Sequence, residues 1–143
     1  MNRTAIALTA VLGLAQGCAL VGVAEADLPT STEVATLLGE GALEVPPIGS
    51  YSRRVSGASD EAQAWFDQAI RYTYGFNQDQ AAACYARAAL ASPDCPMAWW
   101  GLAHILSVDI NNQAIPENEA IWAVVALRQA EGLAHLASPL EQA

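Results

Sequence analysis

Cys95, Met97 and His104 are the residues of this chain best suited by type to hold a metal, since thiolate, thioether and imidazole are the ligands copper(I) prefers. Their spacing works against it. Met97 and His104 are seven residues apart, so on a helix they lie two turns up one face and about 10 Å distant, too far to share one ion. Cys84 and Cys95 are the pair that invites a disulfide. Cys84 falls roughly 10 Å back from the end of its predicted helix and Cys95 lies in the turn beyond, whereas a bridge needs Cα atoms within about 7 Å. Cys84 reads instead as a small buried hydrophobe. Catalytic motifs are missing: the chain has no Gly-rich phosphate loop, no G-x-S-x-G, no H-E-x-x-H and no C-x-x-C-H. Asp60, Glu61, Asp94, Glu117 and Glu119 cluster near predicted helix starts, where the helix dipole favours a carboxylate without any chemistry. The reading is a protein that is not an enzyme and carries no cofactor or metal.

The background against which these residues sit is acidic and apolar. The 143 residues carry 15 acidic and 6 basic side chains, a formal charge of −9, and every basic one is Arg. A nucleic-acid partner needs a basic face to displace counterions, and an anionic membrane surface needs the same, so both are disfavoured. Hydrophobic residues make up 53% and charged ones 15%, which argues against extended disorder. Thirty residues are Ala and no long alternating β pattern occurs, so the expected class is all-α.

The N-terminus has the form of an export signal over residues 1–26. Arg3 supplies the positive start, Ala5 to Ala15 is apolar apart from Thr9, and Ala24-Glu25-Ala26 is a small-x-small cleavage site. Two rival readings stand beside soluble export: Gly17-Cys18 as a lipoprotein site with Cys18 lipidated, and a retained membrane anchor running to about Val23. The box before Cys18 holds Ala15, Gln16 and Gly17, a poor lipoprotein match, while Gln16 and three Gly weaken a spanning helix. Export predicts a periplasmic or secreted protein, with lipoprotein anchoring through Cys18 as the alternative and membrane contact only through Cys18 or a retained signal. Cleavage after Ala26 removes Arg3 and Glu25 and leaves the net charge at −9.

The elements follow from caps and breakers. Residues 27–58 read as an irregular arm or linker with one short helix over Glu33–Leu38, capped by Ser31 or Thr32 and stopped by Gly39. Ser59 caps a helix that carries Trp65, Phe66, Ala69, Ile70 and Tyr74 at helical spacing up to the turn Gly75-Phe76-Asn77. A second runs from about Gln78 to Ala91 and ends at Ser92-Pro93-Asp94. A third starts near Pro96, well suited to a first turn, and runs to about Ser107. Asp109-Ile110-Asn111-Asn112 is a loop, and a fourth helix spans about Pro116 to Ala137. Ser138-Pro139-Leu140-Glu141 has the form of a capping box, so residues 138–143 predict the start of a further helix in a longer chain.

Self-comparison supplies the strongest pattern. Asp60-x-x-x-Ala64-Trp65-Phe66-x-x-Ala69 recurs as Asp94-x-x-x-Ala98-Trp99-Trp100-x-x-Ala103, each residue displaced by 34, with Tyr72 and Leu106 continuing the register. That period, with Trp65, Ala69, Tyr72, Ala81, Tyr85, Ala88 and Pro93 on seven of eight signature positions, resembles the tetratricopeptide repeat family. Gln68 stands where the signature has an aliphatic residue. The second unit matches through Trp99, Leu102, Ala103 and Leu106, then departs, because the loop Val108–Ile115 is longer than the family allows. Past it, Ala123, Leu127 and Ala130 return to the pattern. The segments Phe66-Asp67-Gln68, Tyr74-Gly75-Phe76-Asn77 and Met97-Ala98-Trp99-Trp100-Gly101 look like those of exported bacterial tetratricopeptide proteins. The resemblance covers about residues 59–137 and implies an α-solenoid fragment of stacked antiparallel helix pairs.

It also implies a role: such repeats hold a peptide or protein partner, usually against the concave face lined by the first helix of each unit. The helical face free of signature residues carries Gln63, Phe66, Ile70 and Thr73 or Tyr74 in unit one, and Met97, Trp100, His104 and Ser107 in unit two. Amphipathic aromatics there suit contact with a partner. The competing reading is that Phe66 and Trp100 only cover the inside of neighbouring units or the arm. Two further functions stay open: a small-molecule or metal-binding periplasmic protein, and a structural N-terminal cap for a longer array.

Overall fold

The computed structural model describes residues 24–42, 48–107 and 114–142. The apolar signal segment with Cys18, the loop at Asp109-Ile110-Asn111-Asn112 and the Pro46-Pro47 part of the arm lie outside the described residues. Those residues form five α-helices and no strand: α1 Ser31–Gly39, α2 Asp60–Tyr74, α3 Gln78–Ala91, α4 Pro96–Leu106 and α5 Glu117–Leu133. Single 3-10 turns cover Glu25–Asp27 and Ala134–Leu136.

The boundaries have local causes. The Ser59 hydroxyl accepts the Ala62 N–H and Asn77 Oδ1 accepts the Gln80 N–H, so α2 and α3 start on satisfied caps. Pro96 sits in the first turn of α4, where its missing N–H costs nothing. The α1 cap is Thr30, not Ser31 or Thr32. Its hydroxyl accepts the Glu33 N–H, and its own N–H donates to Glu33 Oε2 at 2.8 Å. Only Thr30 has a Glu three residues on, so only it can close the reciprocal box.

Helix α3 is the centre. Ala81, Ala82, Ala83, Cys84, Tyr85, Ala86, Ala88 and Ala89 are all buried, because α2, α4 and α1 each pack against α3. Helix α1 also reaches α5, burying Val34 and Ala35. It is tied down where Arg87 Nε donates to the Gly39 carbonyl at 2.8 Å and Gln80 Nε2 to that of Gly41 at 3.2 Å. Part of the stretch read as an arm is therefore a docked helix laid across α3 and α5.

Helices α3 and α4 come close together at Gly101. Tyr85 lies edge-on to Phe66, ring centroids 5.6 Å apart, and its other side rests on the α4 backbone at Gly101. A Cβ at Gly101 would stand 2.5 Å from Tyr85 Cδ1 and 2.9 Å from Cζ. Positions related by the 34-residue displacement share burial at Gln68 and Leu102, Ala69 and Ala103, and Tyr72 and Leu106. Trp65 and Trp99 differ. Trp99 is 2% exposed, with Nε1–H donating to the Pro93 carbonyl at 2.8 Å. Trp65 is half-buried, with the Arg87 guanidinium 5.8 Å from its ring centroid. The cause is position: α4 is flanked by α3 and α5, whereas no described helix precedes α2 on its outer side. Gln68 is buried with neither amide atom hydrogen-bonded, at a cost on the order of 1–3 kcal/mol.

The segment at 138–142 folds back on the arm. Glu141 accepts the Ser56 N–H (2.8 Å), the Ser56 hydroxyl (2.6 Å) and the Ser138 N–H (2.7 Å). Partial burial pushes the Glu141 carboxyl up, but the donors of Ser56 and Ser138 outweigh it and bring it down to about 2.

Gly101→Ala should destabilise the chain by about 1–3 kcal/mol in urea unfolding, because the Tyr85 ring has nowhere to go. Gly132→Ala, whose added methyl meets nothing within 4 Å beyond the backbone of its own helix, should stabilise it by about 0.5–1 kcal/mol. For Glu141, the folded carboxyl ionises at about 2 and the free one at 4.5, so in between the folded chain binds fewer protons. Its contribution is full above about pH 4.5 and is lost as pH falls towards 2. Urea unfolding across that range should show wild-type stability converging on that of Glu141→Gln.

Candidate partner-binding groove

On the outer side of α4 and α5 an apolar groove stays open. Trp100 is 46% exposed and stacks on the His104 ring, centroids 5.1 Å apart and planes 8° from parallel. Across from it, Leu127 of α5 is also exposed. The two side chains form a ridge between two hollows. The first, about 320 Å³, is lined by Met97, Trp100, Leu127, Ala130 and Ala134, with Glu131 and Glu141 at its edge. The second, about 310 Å³, is lined by Trp100, Ala103, His104, Ser107, Ala123 and Leu127 and is almost wholly apolar.

The local sequence explains the opening. Trp100 and His104 are four residues apart and so share one face of α4, while Trp99 and Leu102 turn inwards and are buried. Ala123, Ala130 and Ala134 line the hollows from the α5 side because none fills the space in front of Trp100. The chemistry on offer is contact with an aromatic face and a Leu side chain, with carboxylates at one end for a basic group.

The residues predicted for unit one do not join this groove. Phe66 is 2% exposed and belongs to the core, edge-on to Tyr85. Gln63 is buried, with its amide engaged by the backbone of Arg53 and Val55. Ile70 packs half-buried against the core. Tyr74 is 75% exposed and meets the Tyr51 ring edge-on at 6.2 Å. Met97, Trp100, His104 and Ser107 come together as the spacing requires. Leu127 and Ala130 of α5 complete the groove. They were legible as repeat positions but not as a facing wall, since the intervening loop obscures the register.

Phe76 is a second feature that the sequence does not announce. Its φ is +56°, its N–H donates to the Thr73 carbonyl, and the Asn77 N–H reaches back to that of Tyr72. This is the left-handed position that closes a helix, normally held by Gly. The side chain is 83% exposed, so nothing in its packing compensates for the conformation.

Neither Cys84 nor Cys95 is bridged, and both are buried. Burial pushes the Cys84 thiol up to about 11 and raises Cys95 as well, against hydrogen bonds from the Ala98 and Met97 amides. Among the described residues no three His, Cys, Asp or Glu side chains gather where they could hold a metal ion. None of the described helices is long and apolar enough to cross a membrane. Compared with protein-family models, with curated proteins and with solved structures, the chain matches none.

Replacing Phe76 with Gly should raise stability by about 1 kcal/mol in urea unfolding, since the left-handed conformation costs a side-chain-bearing residue roughly that much. The exposed ring loses no packing in exchange.

Proposed function

We propose that this chain is a non-catalytic recognition module of tetratricopeptide type, built to hold a protein or peptide partner in the cell envelope. The single observation that carries the reading is the open groove at Trp100 and Leu127, where large apolar side chains stand exposed beside two hollows. Support for the repeat architecture comes from the 34-residue displacement and from the shared burial of Ala69 with Ala103 and of Tyr72 with Leu106. Placement in the periplasm or outside the cell rests on the signal-like residues 1–26, with Cys18 lipidation as the alternative. The partner residue that fits is an apolar side chain lying between Trp100 and Leu127, with a Lys or Arg nearby to meet Glu131.

A second reading draws on the size of the hollows. At about 310–320 Å³ each, they reach the lower end of small-molecule sites. A small apolar ligand there would raise the melting temperature and would need no flanking charge.

The test is selection from a phage-displayed random peptide library. Wild-type chain should enrich peptides that combine an apolar anchor with a basic residue. Trp100→Ala, folded by circular dichroism because the ring is half-exposed, should bind them at least tenfold more weakly, about 1.4 kcal/mol. Equal binding by a folded Trp100→Ala variant would remove the groove from the function.

A further inference from the structure

One face of α2, away from the groove on α4 and α5, is already occupied, and by the chain itself. Residues 51–55 run extended along α2 in the opposite direction. Arg71 Nε donates to the Tyr51 carbonyl at 2.7 Å. The Arg53 N–H donates to Asp67 Oδ1 at 3.0 Å, and Gln63 Nε2 donates to the Arg53 carbonyl at 2.8 Å. The Val55 N–H donates to Gln63 Oε1 at 3.1 Å. Gln63 and Asp67 are also joined, Nε2 to Oδ1 at 2.9 Å, and both are buried.

The register has a simple origin. Gln63, Asp67 and Arg71 are spaced by four residues, about 6 Å per step along a helix. Tyr51, Arg53 and Val55 are spaced by two, about 6.6 Å per step along an extended chain. The two repeats stay in phase over this length, so every fourth side chain of α2 meets a main-chain group of every second arm residue. All four cross-contacts are to the arm's main chain. What α2 reads is therefore an extended backbone, with two side-chain preferences added: an apolar residue where Val55 is buried and an aromatic where Tyr51 meets Tyr74.

The arm is lightly held. Residues 48–54 are exposed, and Val55 is the one arm side chain in this stretch that is buried. The turn that returns the chain to α2 passes through Gly57 at φ +76°. A segment secured by hydrogen bonds and a single apolar anchor belongs to the low-stability end of a fold and opens without global unfolding.

We propose that Gln63, Asp67 and Arg71 form a second binding site, a receptor for an extended peptide read through its main chain, and that residues 51–55 are its internal ligand, displaced by a partner segment of the same pattern. That segment has an aromatic residue and, four positions on, a β-branched residue, as at Tyr51 and Val55. The site is independent of the groove at Trp100, and either can fail without the other.

The probe is a fluorescent peptide with the sequence of residues 49–57, used with the full-length chain. Val55→Asp frees the site by removing the arm's anchor, and should bind the peptide saturably and at least tenfold more tightly than wild type, whose tethered arm competes at millimolar effective concentration. Adding Gln63→Ala should cost at least tenfold again, and adding Trp100→Ala should change nothing. Wild type offers a readout that needs no variant. A few millimolar unlabelled peptide, comparable to that effective concentration, should speed deuteration of the Arg53 and Val55 amides relative to a scrambled peptide. The proposal is overturned by unchanged exchange at those amides, by absence of saturable binding to a folded Val55→Asp chain, or by binding indifferent to Gln63→Ala.

Discussion

Three helices converge on α3, and a helix can be approached from three sides only where its side chains are small. Ala81, Ala82, Ala83, Ala86, Ala88 and Ala89 meet that requirement, and Cys84 adds one more small side chain. The exception is Tyr85, whose ring needs space in the neighbour. Gly101 supplies it by exposing the α4 backbone. Size is thus exchanged across the α3–α4 contact: a large ring on one helix against an absent side chain on the other. That contact sets how closely the first helix pair meets the second, and with it the angle at which α4 presents Trp100. The same crowding keeps Cys84 inert, because a thiol held in an apolar interior gives up its proton only near 11.

Two faces result, with different fates. The α2 face is covered by a segment of the chain itself, through main-chain contacts that Gln63, Asp67 and Arg71 make in register. The α4 face is left open, with Trp100 and His104 stacked beside Leu127. Trp65 and Trp99 show the same asymmetry from inside the fold: equivalent in sequence, they differ in burial because α4 has a helix on either side and α2 does not. The clasp between Glu141 and Ser56 then links the segment after α5 to the arm, so the two faces share one boundary.

Helix positions were legible in the sequence because local rules decide them. Ser59 as cap, Pro96 in a first turn and Gly75 as a stop each act within one turn of chain, and α3 runs over the predicted Gln78–Ala91. The Thr30 cap was missed, because a Ser/Thr cluster offers several candidate caps and only the reciprocal partner, Glu33, separates them. The docking of α1 was not legible, since Val34 and Ala35 are too few to announce a buried face. The same holds for the α2 face. Gln63, Phe66, Ile70 and Tyr74 share a helical side, which sequence can show, but whether that side is bare depends on a distant arm. Asp67 and Arg71 give no sign of their role in the sequence, because their partners are backbone groups, which carry no sequence signal. Phe76 broke the Gly preference of its position, and no local pattern predicts such an exception.

The most direct test of this account is native-state amide hydrogen exchange followed helix by helix. If α3 is the hub, its amides between Cys84 and Ala88 exchange only through global unfolding, with the free energy measured in urea, while those of α1 and of residues 51–55 open at lower cost. Exchange of the α3 amides as fast as those of α1 would contradict it, because no hub can open before the elements that pack on it.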